Sequence, residues 1–215
     1  MMIVLTLAFS SLFRTTQAFA TYVLSGLIVW TFFSQTTTTA MMHLAWGGAL
    51  MNRIYVPRTA FAISSVGTGL VNLVLSLIPL GLVMAVTATP IRPAFAMLPL
   101  AIAMLALFAL GVALLLSTLA VYFPDVAEMY QVVLLAWMYL TPIIYPEEIV
   151  PAAYQIWMFT LNPMYHLVKL FRLAVYYGAW PGLTELAAAG ALSLGTLVIG
   201  WVVFTKRADE FAYRV

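Results

Sequence analysis

The stretch NRIYVPR, residues 52–58, concentrates two arginines in a chain where only 7% of the residues are charged. Arginine side chains are expensive to place in lipid, and Pro57 ends any helix that precedes it. The stretch is therefore expected in a cytoplasmic connection, where its side chains are available to another protein. Tyr55 and Pro57 support a protein contact, because an aromatic ring and a rigid turn are typical of interfaces. An ordinary positively charged membrane anchor is the alternative.

Catalytic chemistry is not indicated by any motif of the chain. The sequence contains no H-E-x-x-H, no G-x-S-x-G and no phosphate-binding G-x-x-x-x-G-K-[ST]. Its two histidines, His43 and His166, are far apart in the sequence, and each is more typical of a polar contact at a helix end than of a metal ligand. Cysteine is absent, which excludes disulfides and thiolate ligands. We expect no enzyme activity, no resident cofactor and no metal.

The elements that must hold these residues are membrane-spanning helices. With 65% hydrophobic residues and a mean hydropathy of +1.06, the 215 residues carry more apolar surface than one soluble core could bury. Windows of about 20 apolar residues, the length that crosses a bilayer, predict one all-α polytopic membrane domain over residues 1–215 with six spans. We expect the spans near residues 1–13, 22–40, 61–87, 94–120, 126–145 and 183–204. The first is too short to cross alone, so we expect its beginning upstream.

Ionisable groups are missing from the middle of every predicted span, although the chain has nine basic and seven acidic residues. A carrier driven by protons or sodium normally places such groups there. The polar side chains of Gln35, Asn72 and Gln131, and the threonines 36–39, remain able to coordinate an ion. We nevertheless expect the energy for any work to come from a partner protein.

A helix that does not span is predicted by LNPMYHLVKLFRLAVYYG, residues 161–178. Asn162 is the expected cap, Pro163 the first helical residue and Gly178 the stop. The polar face groups His166, Lys169, Arg172 and Tyr176. The apolar face groups Leu167, Leu170, Phe171 and Ala174. Two placements stay open: a surface helix with its basic side chains in water, or a re-entrant hairpin whose polar face lines a solute path.

The distribution of basic residues orients the chain by a small margin. One side holds Arg53, Arg58, Lys206, Arg207 and Arg214. The other side holds Arg14, Arg92, Lys169 and Arg172. We place the first group inside, because residues 52–58 and the tail TKRADEFAYR lie closest to the ends of spans.

Four motifs, in order along nearly the whole chain, resemble those of a known family. They are YVLSGLIVWTFFSQ (22–35), NRIYVPR (52–58), YLTPIIYP (139–146) and LNPMYHLVKLFR (161–172). The chain resembles the type-2 ABC transporter permeases that export lipid-linked polysaccharides such as O-antigen, teichoic acid and capsular polysaccharide. The resemblance implies six spans per subunit and a homodimer around a central channel. It also implies two copies of a separate ATPase subunit, which bind ATP and Mg on the cytoplasmic side of a bacterial inner membrane.

The resemblance also assigns roles to particular residues. The coupling segment that fits a cleft of the ATPase corresponds to Asn52, Arg53, Ile54, Tyr55, Pro57 and Arg58. A second cytoplasmic contact corresponds to Asp125 and Glu128, although Pro124 stands where the family tends to carry an arginine. Residues 146–178 correspond to re-entrant gate helices on the outer side, with His166, Lys169 and Arg172 on the gate helix. The cytoplasmic amphipathic helix and complete first span of the family are not found in this chain.

Aromatic side chains are the expected contacts for a glycan, because the apolar face of a pyranose ring stacks on them. The candidates for lining the channel are Tyr22, Trp30, Phe33, Tyr130, Trp137 and Tyr139. The alternative is that these rings mark the membrane interface or pack between helices. Small residues at Gly67, Gly69, Gly111, Ala191, Gly195 and Gly200 predict close approach of spans.

The function predicted from these features is that of a permease subunit of an ATP-driven polysaccharide exporter. An ABC exporter of a drug or a lipid is the alternative within the same architecture. A membrane assembly subunit that transports nothing is a more distant alternative.

Overall fold

A computed structural model describes residues 19–46, 59–90 and 92–207. Within those ranges all regular structure is helical, which confirms the all-α expectation. The helices are α1 (Phe19–Trp46), α2 (Thr59–Val86), α3 (Leu98–Tyr122), α4 (Val126–Leu140), α5 (Ala152–Gln155), α6 (Pro163–Arg172) and α7 (Leu183–Arg207). Single 3₁₀ turns lie at Pro93–Met97 and Glu147–Ile149. π-helical turns extend α5 over Ile156–Thr160 and α6 over Leu173–Tyr177.

Three of the described helices are long and apolar enough to cross a membrane. They are Thr59–Val86, Pro93–Tyr122, which includes the 3₁₀ turn, and Leu183–Arg207. They coincide with the spans predicted at 61–87, 94–120 and 183–204. Helices suit lipid because they satisfy their own backbone hydrogen bonds. The span predicted at 22–40 lies within the longer α1, and the one at 1–13 lies outside the described residues.

The fourth helix is shorter than the sequence predicted. α4 ends at Leu140, whereas the predicted span continued to residue 145. Pro142 and Pro146 lack a backbone N–H, and each disfavours helical geometry in the residue before it, so the chain leaves the helix after Leu140. At 15 residues α4 is apolar but below the length of the three long helices.

The described residues fall into two compact units. The described residues of the first unit are 19–31, 73–90, 92–102 and 138–189. Those of the second unit are 32–46, 59–72, 103–137 and 190–207. Each unit has its own packing, and the two use different chemistry.

The second unit is packed by apolar and small side chains. One buried cluster combines Ala40, Leu44, Ala62, Ala113, Leu114 and Phe204. α3 and α7 approach closely at two glycines, since a Cβ added to Gly111 would lie 2.5 Å from the backbone carbon of Thr196, and one added to Gly200 would meet the Gly111 carbonyl. This confirms the predicted close approach for these two glycines. Gly67 and Gly195, which the sequence also offered, have open space beside them.

The first unit contains the irregular part of the chain. Residues 141–182, here called the connecting segment, link α4 to α7 through two short helices and several non-helical stretches. Non-helical backbone needs hydrogen-bond partners from elsewhere when it is buried. The connecting segment therefore shows which side chains the fold uses to hold it.

Candidate functional site

The start of α6 is fixed by Asn162, as the sequence predicted. Its Oδ1 accepts a hydrogen bond from the Met164 N–H at 3.1 Å, and Pro163 takes the first helical position. Its Nδ2 donates to Thr141 Oγ1 at 2.9 Å. Asn162 therefore caps one helix and also ties that helix to the residue that follows α4.

The helical run of α6 and its π-helical turn, residues 163–177, ends at Gly178, again as predicted. Gly178 has φ 59°, in the left-handed region that glycine adopts without a steric penalty. The side chain of Arg92 packs against it, and Arg92 Nη1 donates to the Tyr177 carbonyl at 3.2 Å. The turn thus also receives a hydrogen bond from the residue that precedes α3.

The apolar face of α6 is buried as the pattern predicted. Leu167, Leu170, Phe171 and Ala174 are all buried. On the polar face, His166 and Lys169 are partly exposed. Arg172 differs from the surface-helix expectation, in which the basic side chains were in water, because only 1% of it is exposed.

The Arg172 guanidinium lies against the first turns of α1. Its Cζ is 3.6 Å from the centroid of the Tyr22 ring, a cation–π contact at short range. Nη1 donates to the Pro142 carbonyl at 2.6 Å and Nη2 to the Ile143 carbonyl at 2.8 Å. A longer contact of 3.4 Å joins Nη2 to the Tyr22 carbonyl. One side chain thus contacts α1 and the non-helical stretch after α4, while it belongs to α6.

The charge of Arg172 is met by carbonyl dipoles and an aromatic face. Within residues 19–46, 59–90 and 92–207 the structure shows no carboxylate paired with it, and its Nε has no hydrogen-bond partner there. Burial lowers the pKa of the guanidinium from its ordinary value. A planar fork with several N–H groups is suited to serving adjacent carbonyls, which a lysine ammonium would serve less well.

Room for the guanidinium depends on a glycine that the sequence reasoning did not single out. A Cβ added to Gly26 would lie 2.6 Å from Arg172 Nη2 and 3.1 Å from Ile143 Cγ2. Gly26 stands one helical turn after Tyr22 on the same face of α1. A glycine inside an apolar helix was the available signal, since such a position usually has a packing reason.

The last turn of α4 and the residues after it obtain further hydrogen bonds from tyrosines. Tyr145 Oη donates to the Tyr139 carbonyl at 2.8 Å. Tyr22 Oη donates to the Tyr145 carbonyl at 3.2 Å. Because the last carbonyls of a helix have no partner within the helix, Tyr145 supplies a bond that α4 lacks, and Tyr22 supplies one to the non-helical stretch that follows.

A second group of polar contacts joins side chains of α6 to the residues around it. Tyr165 Oη donates to Glu147 Oε2 at 2.8 Å, and burial together with this carboxylate raises the pKa of Tyr165. Lys169 Nζ is 3.7 Å from Glu185 Oε1, with about a third of each side chain exposed. His166 Nε2 donates to the Thr160 carbonyl at 3.2 Å. These contacts hold α6 to its neighbours, and they leave Lys169 partly in solvent.

The six aromatic residues proposed for the channel occupy different environments. Tyr22, Trp30, Phe33 and Tyr130 are buried, Trp137 is partly exposed and Tyr139 is 61% exposed. In the second unit Phe33 packs between Phe108 and Trp137, with ring centroids 5.5 Å and 5.3 Å away. Lining a path requires an exposed ring, so Tyr139 and Trp137 carry that prediction better than the four buried rings.

A comparison with known protein families identifies the family of this chain. Residues 1–176 match the family model described as ABC-2 type transporter. The chain belongs to the ABC-2 type transporter family. The family resemblance of the four motifs is thereby confirmed.

Three relatives of this ABC-2 chain are named O-antigen export system permease protein RfbA. The protein from Myxococcus xanthus is 28% identical over 197 residues, which are 90% of this chain and 75% of the relative. Two proteins from Klebsiella pneumoniae are 21% and 23% identical over 196 and 199 residues. These alignments cover 89% and 90% of this chain and 73% and 74% of the relatives.

The structure describes one of the two cytoplasmic contacts expected for the ABC-2 chain. Residues 52–58 lie outside the described residues. Asp125 and Glu128 are exposed beside the start of α4, and the Glu128 N–H donates to the Asp125 carbonyl at 3.2 Å. Acidic side chains at a helix N-terminus are favourable for the helix itself. Their exposure leaves them available to a partner as well.

Metal binding finds no support in the part of the ABC-2 chain that the structure describes. No group of three or more His, Cys, Asp or Glu residues lies there in a position to hold a metal ion. The polar contacts described around Arg172 hold and position the backbone of the connecting segment.

Proposed function

We propose that the chain is the membrane-spanning permease subunit of an ATP-driven exporter of lipid-linked polysaccharide in the bacterial cytoplasmic membrane. The observation that carries the proposal is the match of residues 1–176 to the ABC-2 type transporter family together with three relatives named for O-antigen export. Each relative aligns with about nine tenths of the chain. The family match over residues 1–176 includes all four motifs, which lie between residues 22 and 172.

The distribution of charge supports an external source of energy. In the three helices that are long and apolar enough to cross a membrane, charged residues occur only at the ends of α7, as Glu185, Lys206 and Arg207. A proton relay through these helices has no ionisable group at mid-depth. We propose that a separate ABC ATPase binds ATP and Mg and acts on residues 52–58, with Asp125 and Glu128 as a second contact.

A homodimer with six spans per subunit is part of the proposal. Exposed apolar side chains along α2 and α4 support contact with lipid or with a second copy. They include Val71, Val74, Leu75, Ile78, Leu82, Val132, Val133 and Leu135. In this arrangement residues 146–178 are re-entrant gate helices, and the glycan slides past exposed rings such as Tyr139.

Export can be tested in cells that lack their own polysaccharide permease. We expect this chain, expressed together with its cognate ABC ATPase, to restore lipid-linked glycan at the cell surface. An ATPase variant that binds ATP without hydrolysing it serves as the control and should restore none. Efflux of a drug or a lipid without surface glycan would replace the polysaccharide assignment, and glycan export by the permease alone would contradict the proposal.

Docking of the ATPase can be tested separately. Replacing Arg53 and Arg58 with glutamate should abolish co-purification with the ATPase, because the coupling contact would meet reversed charge. Replacing Lys206 and Arg207 with glutamate changes charge equally at the end of α7 and should leave co-purification intact. Normal assembly and export by the first variant would remove residues 52–58 from the coupling role.

A further inference from the structure

Three of the four sequence motifs meet at one buried side chain. Tyr22 and Gly26 come from the motif over residues 22–35, Pro142 and Ile143 from that over 139–146, and Arg172 from that over 161–172. The motifs are far apart in the sequence. The contacts of Arg172 give a physical reason why one chain contains all three motifs. The arginine of the motif over residues 161–172 donates the hydrogen bonds that the carbonyls of the motif over 139–146 accept.

We propose that Arg172 is a positioning residue that makes the first turns of α1, the stretch Thr141–Tyr145 and α6 move as one rigid body during transport. The inference rests on the proposed function, because it concerns the movement that transport requires. Separation of these parts would leave a buried guanidinium without its carbonyls and its aromatic face, and would leave the Pro142 and Ile143 carbonyls without donors. We therefore expect the movement that opens a path for the substrate to break other contacts of the chain.

Neighbouring contacts reinforce the same body. The Tyr22 ring meets the Tyr176 ring edge-on at 5.4 Å between centroids, and its hydroxyl holds the Tyr145 carbonyl. Phe19, Tyr22 and Val23 form a buried cluster against which Tyr176 packs. α1 therefore also contacts Tyr176, which lies one turn after Arg172 in the same helical run.

A reducible cross-link tests the rigid body directly, and the absence of cysteine from the sequence makes an engineered pair specific. Ala20, which is partly buried in α1, and Tyr177, which is exposed, would be replaced by cysteine and joined with the shortest bifunctional thiol reagent that links them in the permease–ATPase complex in vesicles. We expect linked complex to export glycan at the rate of each single-cysteine complex treated with the reagent. Loss of export that returns when the link is reduced would overturn the proposal.

The positioning role is separated from a merely structural one by the ratio of glycan exported to ATP hydrolysed. We expect Arg172→Lys, which keeps the charge but not the fork of donors, to assemble with the ATPase and hydrolyse ATP while this ratio falls several-fold. Gly26→Ala should act the same way, because its methyl group displaces the guanidinium. Gly81→Ala, at a glycine of α2 with open space, is the matched control and should keep the ratio. An unchanged ratio in both Arg172→Lys and Gly26→Ala would overturn the proposal.

A third measurement keeps the inference testable if the chain exports something other than glycan. Failure of every complex, including the unmodified one, to export glycan would contradict the proposed function alone. Thermal unfolding of the single and double variants Gly26→Ala and Arg172→Gln then decides the inference. We expect the shift in melting temperature caused by Gly26→Ala to become much smaller when Arg172 is already replaced. Additive shifts would show that the two residues do not act through one contact and would overturn it.

Discussion

The two units of this ABC-2 chain solve the same packing problem with different chemistry. The first unit holds irregular backbone, and it does so with buried polar side chains such as Arg172, Asn162 and Tyr22. The second unit holds regular helices, and it does so with close backbone approach at Gly111 and Gly200. The difference shows that polar side chains are used where the backbone has left the helix and needs partners. Helices that satisfy their own backbone hydrogen bonds can be packed by apolar and small side chains.

The largest effect on this contrast is expected from Arg172→Gln. Loss of the guanidinium removes two short hydrogen bonds and the cation–π contact, and we expect it to lower the free energy of unfolding by about 3 kcal/mol or more. Thermal unfolding of the purified permease measures this, and Lys169→Gln on the same helix is the control. Burial of Arg172 makes reduced assembly the expected outcome, and an unchanged melting temperature would contradict it.

A slightly smaller effect is expected from Gly111→Ala in the second unit. The added methyl group would overlap the backbone around Thr196, and such overpacking typically costs roughly 1–3 kcal/mol. Gly67→Ala and Gly195→Ala are matched controls with open space, where alanine should be neutral or stabilising. The comparison of melting temperatures is decisive, since equal behaviour of all three variants would show that small residues do not set the packing of this unit.

One polar contact in the second unit offers a milder test. Thr37 Oγ1 donates to the Phe33 carbonyl at 2.8 Å, so its bond of 2.8 Å with Tyr130 is donated by the tyrosine. We expect Tyr130→Phe to cost about 0.6 to 1 kcal/mol, because Thr37 keeps its other partner. The exposed Tyr139 changed to phenylalanine is the control. A loss as large as that of Arg172→Gln would mean that this unit also depends on polar contacts.

The smallest effect is expected from breaking the pair Lys169–Glu185. Both side chains are about a third exposed at a separation of 3.7 Å, and pairs of this kind contribute no more than about 1 kcal/mol. Lys169→Gln and Glu185→Gln should therefore unfold within the error of the unmodified protein, at low and at high salt. Reduced export with unchanged unfolding would support Lys169 as a gate residue. Normal export would leave Lys169 with the minor structural role of this pair.

Periodicity and end signals were enough to locate most helices. Uninterrupted apolar residues predicted α2, α3 and α7, and the sequence Asn162-Pro163 with Gly178 predicted both ends of the helical run that contains Arg172. These signals are local, because a cap or a proline acts on its own turn. Pro142 also indicated the early end of α4. The prediction of a span to residue 145 was wrong because it followed the apolar composition past this proline, which has no backbone N–H to donate.

The helical pattern did not predict that Arg172 is buried. On a helical wheel Arg172 groups with His166 and Lys169. A helical pattern predicts that a polar side chain is exposed only when the polar face of that helix meets water. Here the face at Arg172 meets carbonyls of a stretch thirty residues earlier and a ring 150 residues earlier in the chain. The importance of Gly26 follows only from the same contact.

Composition and local signals thus predicted a helical membrane protein and the ends of its short helix, because each depends on residues that are neighbours in sequence or on the total of apolar surface. The resemblance of four motifs indicated the family. The tertiary structure determined which polar side chains are exposed to solvent and which form hydrogen bonds with buried backbone. That decision depends on where unpaired carbonyls lie in space, and Arg172, Tyr22 and Gly26 come together around them only after α1, α4 and α6 have packed.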